Sequence, residues 1–246
     1  MNRKRWVRLI FILLPLSLIL VQVFWQPPSQ RPQKFKTAIR ALIPPIGFIF
    51  QYFDFNEKNA LTQWEEKLFQ GHVIYWIDFD NRDGFIHSKS RQASSAIFYR
   101  IKFDVSNYPY ISWKWRVGKF PNKSHVTDPK KRDDFAVRFY VVFVSRFFTN
   151  FKCVEYVWDE FLPEGTILES PYADQIKQMV VQSGPSKPDE WVSETRNVFE
   201  DYQKLFGSPP KAKAAAIALM TSSAGTQSEA EGFFDDIRIG KSTAQS

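Results

Sequence analysis

Residues 133–144, Asp-Asp-Phe-Ala-Val-Arg-Phe-Tyr-Val-Val-Phe-Val, alternate between two kinds of side chain, and this alternation decides the fold. The odd positions from Phe135 to Phe143 are all apolar, whereas Asp134, Arg138 and Tyr140 occupy even positions. A period of two is that of a β-strand, whose successive side chains point to opposite faces of a sheet. Residues 111–117, Ile-Ser-Trp-Lys-Trp-Arg-Val, repeat the pattern. Both segments are therefore predicted to be strands with one buried and one polar face.

Eight further segments have strand character and are separated by turn signals such as Asn81-Arg82-Asp83-Gly84. The ten predicted strands cover residues 73–79, 84–88, 96–103, 110–117, 135–146, 153–158, 177–182, 191–196, 213–220 and 233–239. One helix is predicted from the N-cap Asn197 to the stop at Gly207, and a shorter one over Leu61–Phe69. This pattern favours a mostly β fold, a jelly-roll-like antiparallel β-sandwich with one or two short helices.

The first 26 residues are predicted to form a transmembrane signal anchor. A basic start at Arg3-Lys4-Arg5 precedes Val7–Trp25, 19 residues without charge, which is long enough to cross a bilayer. The following Gln26-Pro27-Pro28 lacks the small residues of a cleavage site, so the span is expected to stay uncleaved. A buried soluble helix is the alternative. The basic N-terminus favours a single-pass protein of the bacterial inner membrane with its folded domain in the periplasm.

The remaining boundaries follow from composition. Residues 27–50 are predicted to be a linker and a membrane-proximal amphipathic segment, 51–241 the β-sandwich domain, and 242–246 a tail. Within the second region, residues 34–43 place apolar side chains at helical spacing beside Lys34, Lys36 and Arg40, which suits either contact with lipid headgroups or docking on the protein's own domain.

The net charge of +7 is not a sign of nucleic-acid binding. Residues 1–40 hold eight of the 33 basic residues and no acid, and the rest of the chain has 25 basic and 26 acidic residues. A nucleic-acid-binding domain needs basic clusters within its folded part, and the excess charge here lies in the predicted membrane segment. The single Cys153 rules out an internal disulfide.

Several motifs together resemble a bacterial family known as domain of unknown function 3047, over roughly residues 60–240. The segments that carry the resemblance are residues 108–117, 133–143, 156–158, 180–184, 191–192, 196–198, 201–202, 206–210, 217–221 and 233–237. The resemblance implies an exported jelly roll similar to carbohydrate-binding modules, a fold that names no activity. The chain departs from the family in residues 222–227, Ser-Ser-Ala-Gly-Thr-Gln, where related sequences tend to carry acidic residues and asparagine.

The polar faces of the two defining strands are the predicted binding site. Trp113 and Trp115 alternate with the polar residues and are expected in the core rather than stacked on a sugar. If the two strands are neighbours, their polar side chains share one groove in which charged groups grip sugar hydroxyls and a phenol ring gives a platform. The candidate ligand-binding residues are Lys114, Arg116, Asp134, Arg138 and Tyr140. A solvated sheet face with ion pairs between these residues is the alternative.

Other chemistry has weaker signals. The three histidines lack zinc-site spacing, no cofactor motif occurs, and no cofactor is predicted. If alternation is strict, Asp235 faces the core, where it needs a bulge, an ion pair or a structural calcium. The acids Asp133, Asp134, Glu155, Asp159 and Glu160 lie near strand ends and would suit glycoside chemistry if two were correctly spaced.

Three functions stay open on these grounds. The first is a membrane-anchored extracytoplasmic domain that binds a glycan or another polar envelope ligand without catalysis. The second is a structural subunit that contacts an envelope protein, and the third is a glycoside-active enzyme. The expected partners are therefore the membrane through residues 7–25 and a glycan or an envelope protein, with no nucleic acid.

Overall fold

The computed structural model describes residues 46–144, 151–185 and 190–242. The predicted anchor at residues 1–26 and most of the predicted linker lie outside these ranges. Within the ranges, no helix has the length and apolar character needed to cross a membrane.

Two sheets built from thirteen strands account for most of the described residues. The strands are β1 Phe48–Phe53, β2 Glu65–Gln70, β3 Ile74–Asp80, β4 Asp83–Arg91, β5 Ser94–Phe103, β6 Tyr110–Lys119, β7 Arg138–Val144, β8 Phe151–Asp159, β9 Ile167–Glu169, β10 Ile176–Ser183, β11 Val192–Asn197, β12 Ala214–Ser222 and β13 Glu229–Lys241. The single α-helix of the described residues, α1, is Val198–Phe206. Short 3-10 turns lie at Ala60–Gln63 and Pro129–Arg132.

The two sheets pack as a sandwich. The first sheet has the strand order β11-β6-β13-β4-β3, with β1 paired to the C-terminal half of β13. The second has the order β2-β5-β12-β7-β8-β10-β9. We call these sheet A and sheet B. The pair β8–β10 is parallel, so the prediction of a purely antiparallel sandwich is wrong at this pair.

The core between the sheets comes from the alternation seen in the sequence. Trp113 and Trp115 on β6 are fully buried. Trp113 faces Phe139 and Tyr156 of sheet B and stacks on Phe139 at 4.5 Å, and Trp115 lies 6.2 Å from Trp158. Burying such rings removes large apolar areas from water and dominates the stability of the sandwich. The prediction that both tryptophans belong to the core is confirmed.

All ten predicted strands are present, but three further strands were missed and one helix was predicted wrongly. Strands β1, β2 and β9 were not expected. The segment Leu61–Phe69, predicted as a helix, is a 3-10 turn followed by β2. Trp64 and Leu68 have the spacing of a helix, but Trp64 caps the 3-10 turn and Leu68 lies in β2. The prediction of α1 is confirmed: Asn197 Oδ1 accepts a hydrogen bond from Glu200 N at 3.2 Å, and Gly207 ends the helix with φ 69°.

Candidate functional site

The five predicted site residues do not share a groove. Lys114 and Arg116 lie on β6 in sheet A, and Arg138 and Tyr140 lie on β7 in sheet B. In each strand the neighbouring aromatic side chains fill the core, so the polar ones point outward from opposite faces of the sandwich. The prediction of one groove is therefore wrong, because the two strands belong to different sheets with the core between them.

Arg138 is the centre of a buried ion cluster on sheet B. Its guanidinium Nη1 donates to Glu155 Oε1 at 2.9 Å and lies 3.4 Å from Asp133 Oδ2, and its Nη2 donates to Ser222 Oγ at 2.9 Å. Gln178 Nε2 donates to both carboxylates, at 2.7 Å from Asp133 and 3.1 Å from Glu155. Arg138 is 3% exposed and Glu155 1%. The cluster fastens residue 133, at the end of a long connection, onto the sheet.

The ionisation of Glu155 depends on this cluster. Burial raises the pKa of Glu155 to about 7, and the charge of Arg138 counteracts part of that rise. Two of the five acids considered for glycoside chemistry, Asp133 and Glu155, are thus brought together, but both bind the same arginine and the same glutamine. Their positions beneath the surface suit structural support better than contact with a substrate.

Two of the other acids considered, Asp134 and Asp159, also have structural partners. Asp134 is buried and its Oδ2 accepts from Thr226 N at 2.7 Å and from Thr226 Oγ1 at 2.8 Å, so it holds the loop that follows β12. Asp159 accepts from Lys123 Nζ at 2.7 Å and from the amides of two following residues. Tyr140 is half-buried and receives a long hydrogen bond from Arg138 at 3.4 Å. Asp134 and Arg138 are thus among the residues that stabilise the fold.

Sheet A presents a different outer surface. Five side chains stand side by side across the sheet, four on adjacent paired strands and the fifth on the residue just before β11, and we call them the planar row: Trp76, His87, Phe233, Arg116 and Trp191. Ring centroids are 3.8 Å apart between Trp76 and His87, and 4.3 Å between His87 and Phe233. The Arg116 guanidinium carbon lies 4.0 Å from the Phe233 ring centroid and 5.3 Å from that of Trp191. The row is held together by stacking and cation–π attraction.

The geometry of the planar row determines which groups a ligand could meet. The interplanar angle is 35° for both Trp76–His87 and His87–Phe233, so neighbouring planes are closer to parallel than to perpendicular. At the other end of the row, the Trp191 ring is closer to perpendicular to Phe233, with an interplanar angle of 70° and centroids 6.4 Å apart. His87 is fixed by two carboxylates, Asp78 at 3.1 Å and Glu231 at 2.7 Å, on its two ring nitrogens. The row is consequently rigid before any ligand arrives.

Charged groups lie beside the planar row on the same face. Lys114 Nζ is 2.6 Å from Asp236 Oδ2, and Arg238 Nη2 donates to Asp236 Oδ1 at 2.8 Å. The Tyr52 hydroxyl donates to the same carboxylate. Burial opposes ionisation of Asp236, but its contacts with Lys114 and Tyr52 outweigh that effect and hold its pKa below the usual value. We call Tyr52, Lys114, Asp235, Asp236 and Arg238 the charged cluster.

A β-bulge in β13 creates this arrangement. Asp236 has φ 53°, and the pairing register with β6 shifts between Asp235 and Arg238. The extra residue reverses the phase of alternation, so Phe234 and Ile237 both reach the core, although they are three residues apart. Asp235 therefore points outward beside Lys114, and the expectation that strict alternation turns it inward is wrong. The bulge was one of the solutions that the sequence allowed.

Asp235 differs from its neighbour in its protonation. Its side chain is buried, and its Oδ1 has no hydrogen-bond partner among the described residues. Burial, followed by the charge of Asp236, raises the pKa of Asp235 to about 7. Two adjacent carboxyl groups of the charged cluster thus differ in pKa, one raised and one lowered.

Neither a metal site nor a deep pocket accompanies these surfaces. Over residues 46–144, 151–185 and 190–242, no group of three or more His, Cys, Asp or Glu side chains could hold a metal ion. Two open depressions lie at one end of the sandwich, around Arg91, Lys119 and Glu229 and around Phe120 and Phe161. The outer face of sheet A is therefore an open surface site rather than an enclosed one.

Sequence reasoning found two members of this face, Lys114 and Arg116, and missed the rest. His87 was set aside because it lacks metal-site spacing, and Phe233 was placed on the core side of β13. Trp76 was part of a predicted strand without a role. Their position on one face follows from the pairing register of the strands, and a single sequence does not contain that register.

Comparison with known proteins identifies the family. A profile of the family described as "Protein of unknown function (DUF3047)" matches residues 62–238. The chain belongs to the DUF3047 family. The match confirms the resemblance found in the sequence. No curated protein matches this DUF3047 chain.

Solved structures resemble the DUF3047 chain only distantly. A xylan-binding domain of Paenibacillus barcinonensis has 10% identity and a TM-score of 0.39, over 79% of this chain and 94% of that domain. The xyloglucanase domain of NopAA, an effector from Sinorhizobium fredii, has 10% identity and a TM-score of 0.43, over 72% of this chain and 92% of that domain. The active domain of bacteriophage CBA120 tailspike protein 4 has 11% identity and a TM-score of 0.39, over 82% of this chain and 21% of the tailspike domain. The chain thus spans about a fifth of that tailspike domain, and at these TM-scores the similarities carry no functional argument.

Proposed function

We propose that the protein is a membrane-tethered binding module that holds a glycan or a similar extended polar ligand on the outer face of sheet A, without catalysis. The observation that carries the proposal is the planar row, which crosses four paired strands and reaches Trp191 just before a fifth. With strands spaced about 4.8 Å apart, the row is about 19 Å long. A surface of this length suits a chain of several linked polar rings better than a single small molecule.

The chemistry of the face supports the same class of ligand. Trp76 and Trp191 are partly exposed aromatic rings at the two ends of the row, and sugar rings carry apolar faces that pack on such rings. The charged cluster supplies both donors and acceptors within reach of the row, since Lys114 is 38% exposed in its side chain and Asp236 accepts three hydrogen bonds or ion pairs. Charge-assisted hydrogen bonds to hydroxyl groups are strong and directional.

The tether is proposed from the sequence. Residues 7–25 are uncharged and long enough to span a bilayer, and the basic start favours export of the domain to the periplasm of a bacterium. Alkaline extraction of membranes from expressing cells is the direct test. Retention of the full chain in the pellet, with release of a chain that begins at residue 27, supports the tether; release of both contradicts it.

Binding is tested by a glycan array followed by calorimetry on the glycans retained. The variant Trp76→Ala/Trp191→Ala removes both terminal rings and is expected to weaken affinity by about 2 kcal/mol, or about thirtyfold, at roughly 1 kcal/mol per stacked ring. Lys114→Met removes one donor of the charged cluster. The matched control is Phe161→Ala, which truncates a 67% exposed ring on the connection from β8 to β9 in sheet B.

Three results would decide the matter. Weaker binding in both sheet A variants, with wild-type affinity in Phe161→Ala, supports the proposed face. Wild-type affinity in Trp76→Ala/Trp191→Ala removes the planar row from the site. A glycan screen without any ligand, on protein shown to be folded by near-ultraviolet circular dichroism, overturns glycan binding.

A further inference from the structure

One end of the sandwich is basic. Six lysines of the described residues lie there, at the C-terminal ends of β5 and β13, the N-terminal ends of β8 and β12, and on or just after α1: Lys102, Lys152, Lys204, Lys211, Lys213 and Lys241. Lys102, Lys204, Lys211 and Lys213 are exposed, and the other two are half-buried. We call this the lysine end.

Few carboxylates offset these charges. Among the described residues of the same elements and loops, Asp104 lies 3.7 Å from Lys213, and Asp201 is buried in an ion pair with Arg196 at 2.6 Å. Glu200 stands near the start of α1 and is exposed. The sequence after position 40 is nearly neutral, with 25 basic and 26 acidic residues, so the lysine end is a local concentration of charge rather than a general property of the domain.

The chain enters the domain at this end. Ile46 is the first described residue, Gly47 N donates to Lys241 O at 2.7 Å, and Phe48 pairs with Lys241. Phe48 is 37% exposed and stacks on Tyr108 with a centroid distance of 6.3 Å. The preceding 45 residues hold eight basic residues, no acid, and the uncharged stretch at residues 7–25. The lysine end is therefore the part of the domain closest along the chain to the proposed tether.

We propose that the lysine end binds the surface of an anionic bilayer, so that the domain stands on the membrane. This proposal rests on the proposed tether for its location and adds the lipid charge as the ligand. A lysine near an anionic lipid surface strengthens binding by about fivefold, and exposed aromatic rings such as Phe48 favour the interface. The six lysines at this end attract an anionic bilayer, whereas a zwitterionic bilayer has no net charge to attract them.

The proposal fixes the height of the ligand face. On β13, Phe233 of the planar row is seven residues before Gly240 at the lysine end, and one residue of that interval is in the bulge. At about 3.3 Å per strand residue, the planar row lies about 20 Å above the lipid surface. Because the row runs across the strands, it lies parallel to the membrane at this height.

The test uses the full chain in liposomes of phosphatidylcholine alone and of phosphatidylcholine with phosphatidylglycerol at a ratio of about 7:3. Flotation reports whether the chain is inserted, and pulsed acetylation with mass spectrometry reports the accessibility of each lysine. We expect Lys211, Lys213 and Lys241 to be acetylated at least about fivefold more slowly in the anionic liposomes. Lys58, Lys130 and Lys131, which are exposed elsewhere on the domain, serve as internal controls with unchanged rates.

Charge reversal supplies the matched variants. Lys211→Glu/Lys213→Glu/Lys241→Glu is expected to lose the difference between the two lipids at Lys102 and Lys204, whereas Lys58→Glu/Lys130→Glu/Lys131→Glu, with the same charge change, keeps it. Equal acetylation rates in both lipids overturn the proposal. If the chain fails to float with phosphatidylcholine liposomes, the proposed tether is wrong. Flotation with the anionic liposomes alone would then still support lipid binding by the lysine end. Flotation with neither kind of liposome would overturn lipid binding by the lysine end.

Discussion

Replacing Arg138 by methionine should destabilise the protein in a pH-dependent way. Methionine is unbranched and flexible, so Arg138→Met fills much of the same space while removing the charge. The substitution leaves Glu155 and Asp133 buried without the cation that both contact in the folded protein. Breaking a buried ion pair on one side costs about 3–5 kcal/mol, because an uncompensated charge stays in the interior.

The pH dependence follows from Glu155. Its pKa is raised from an unfolded value of 4.5 to about 7, and Arg138 is the group that keeps it from rising further. The folded state therefore favours the neutral acid, so this group's contribution to stability falls as pH rises through the interval from about 4.5 to about 7. In Arg138→Met the pKa of Glu155 rises above 7. At a pH above that raised pKa, each additional pKa unit lowers the free energy of unfolding by about 1.4 kcal/mol. The cost of the substitution should be larger at pH 8 than at pH 5 by at least about that amount.

Urea unfolding followed by tryptophan fluorescence at pH 5 and pH 8 measures both quantities, since the chain has eight tryptophans. The double variant Arg138→Met/Glu155→Gln removes the ionisable group as well and should be more stable than Arg138→Met at pH 8, with a smaller difference between the two pH values. A loss of less than about 1 kcal/mol in Arg138→Met at pH 8, or an equal loss at both pH values, would falsify the assignment of a buried ion cluster.

Three smaller predictions follow from the described contacts. Gly232→Ala should lower the free energy of unfolding by about 1–3 kcal/mol in urea titrations, because its Cβ would lie 2.4 Å from the carbonyl oxygen of Ala136; wild-type stability would show that the backbone yields there. Asn197→Ala should cost about 1 kcal/mol through loss of the α1 cap, and Asn197→Asp, which keeps an oxygen acceptor, should not. Wild-type protein should lose stability as pH rises from about 4 to about 7 partly through Asp235, whose pKa is raised to about 7, so Asp235→Asn should show a smaller fall of the melting temperature over that range; an unchanged fall would place the titration elsewhere.

Side-chain alternation located the strands that have a buried face, but it did not reveal the short or exposed strands. Period-two alternation located β6 and β7 because one face of each is buried, and the apolar residues then recur at every second position. Strand β2, Glu-Glu-Lys-Leu-Phe-Gln, is at an edge of sheet B and largely exposed, so it has no buried face to mark it. Residues 133–137 continue the alternation but precede the strand, since this connection joins β12 through the hydrogen bond from Ser222 N to Phe135 O at 3.0 Å rather than through a ladder.

The sequence by itself determined which side chains of β6 and β7 enter the core, because alternation requires only the chain's own geometry. It also determined the family, the cap and stop of α1, and the separation of the basic charge in residues 1–40 from the nearly neutral remainder of the chain. Only the tertiary structure decided that Lys114 and Arg138 lie on opposite faces, because the assignment of a strand to a sheet depends on pairing between distant segments. The planar row likewise exists through the register of neighbouring strands, and the charged cluster exists through the bulge at Asp236; both are set by packing over the whole sandwich rather than by any local stretch of residues.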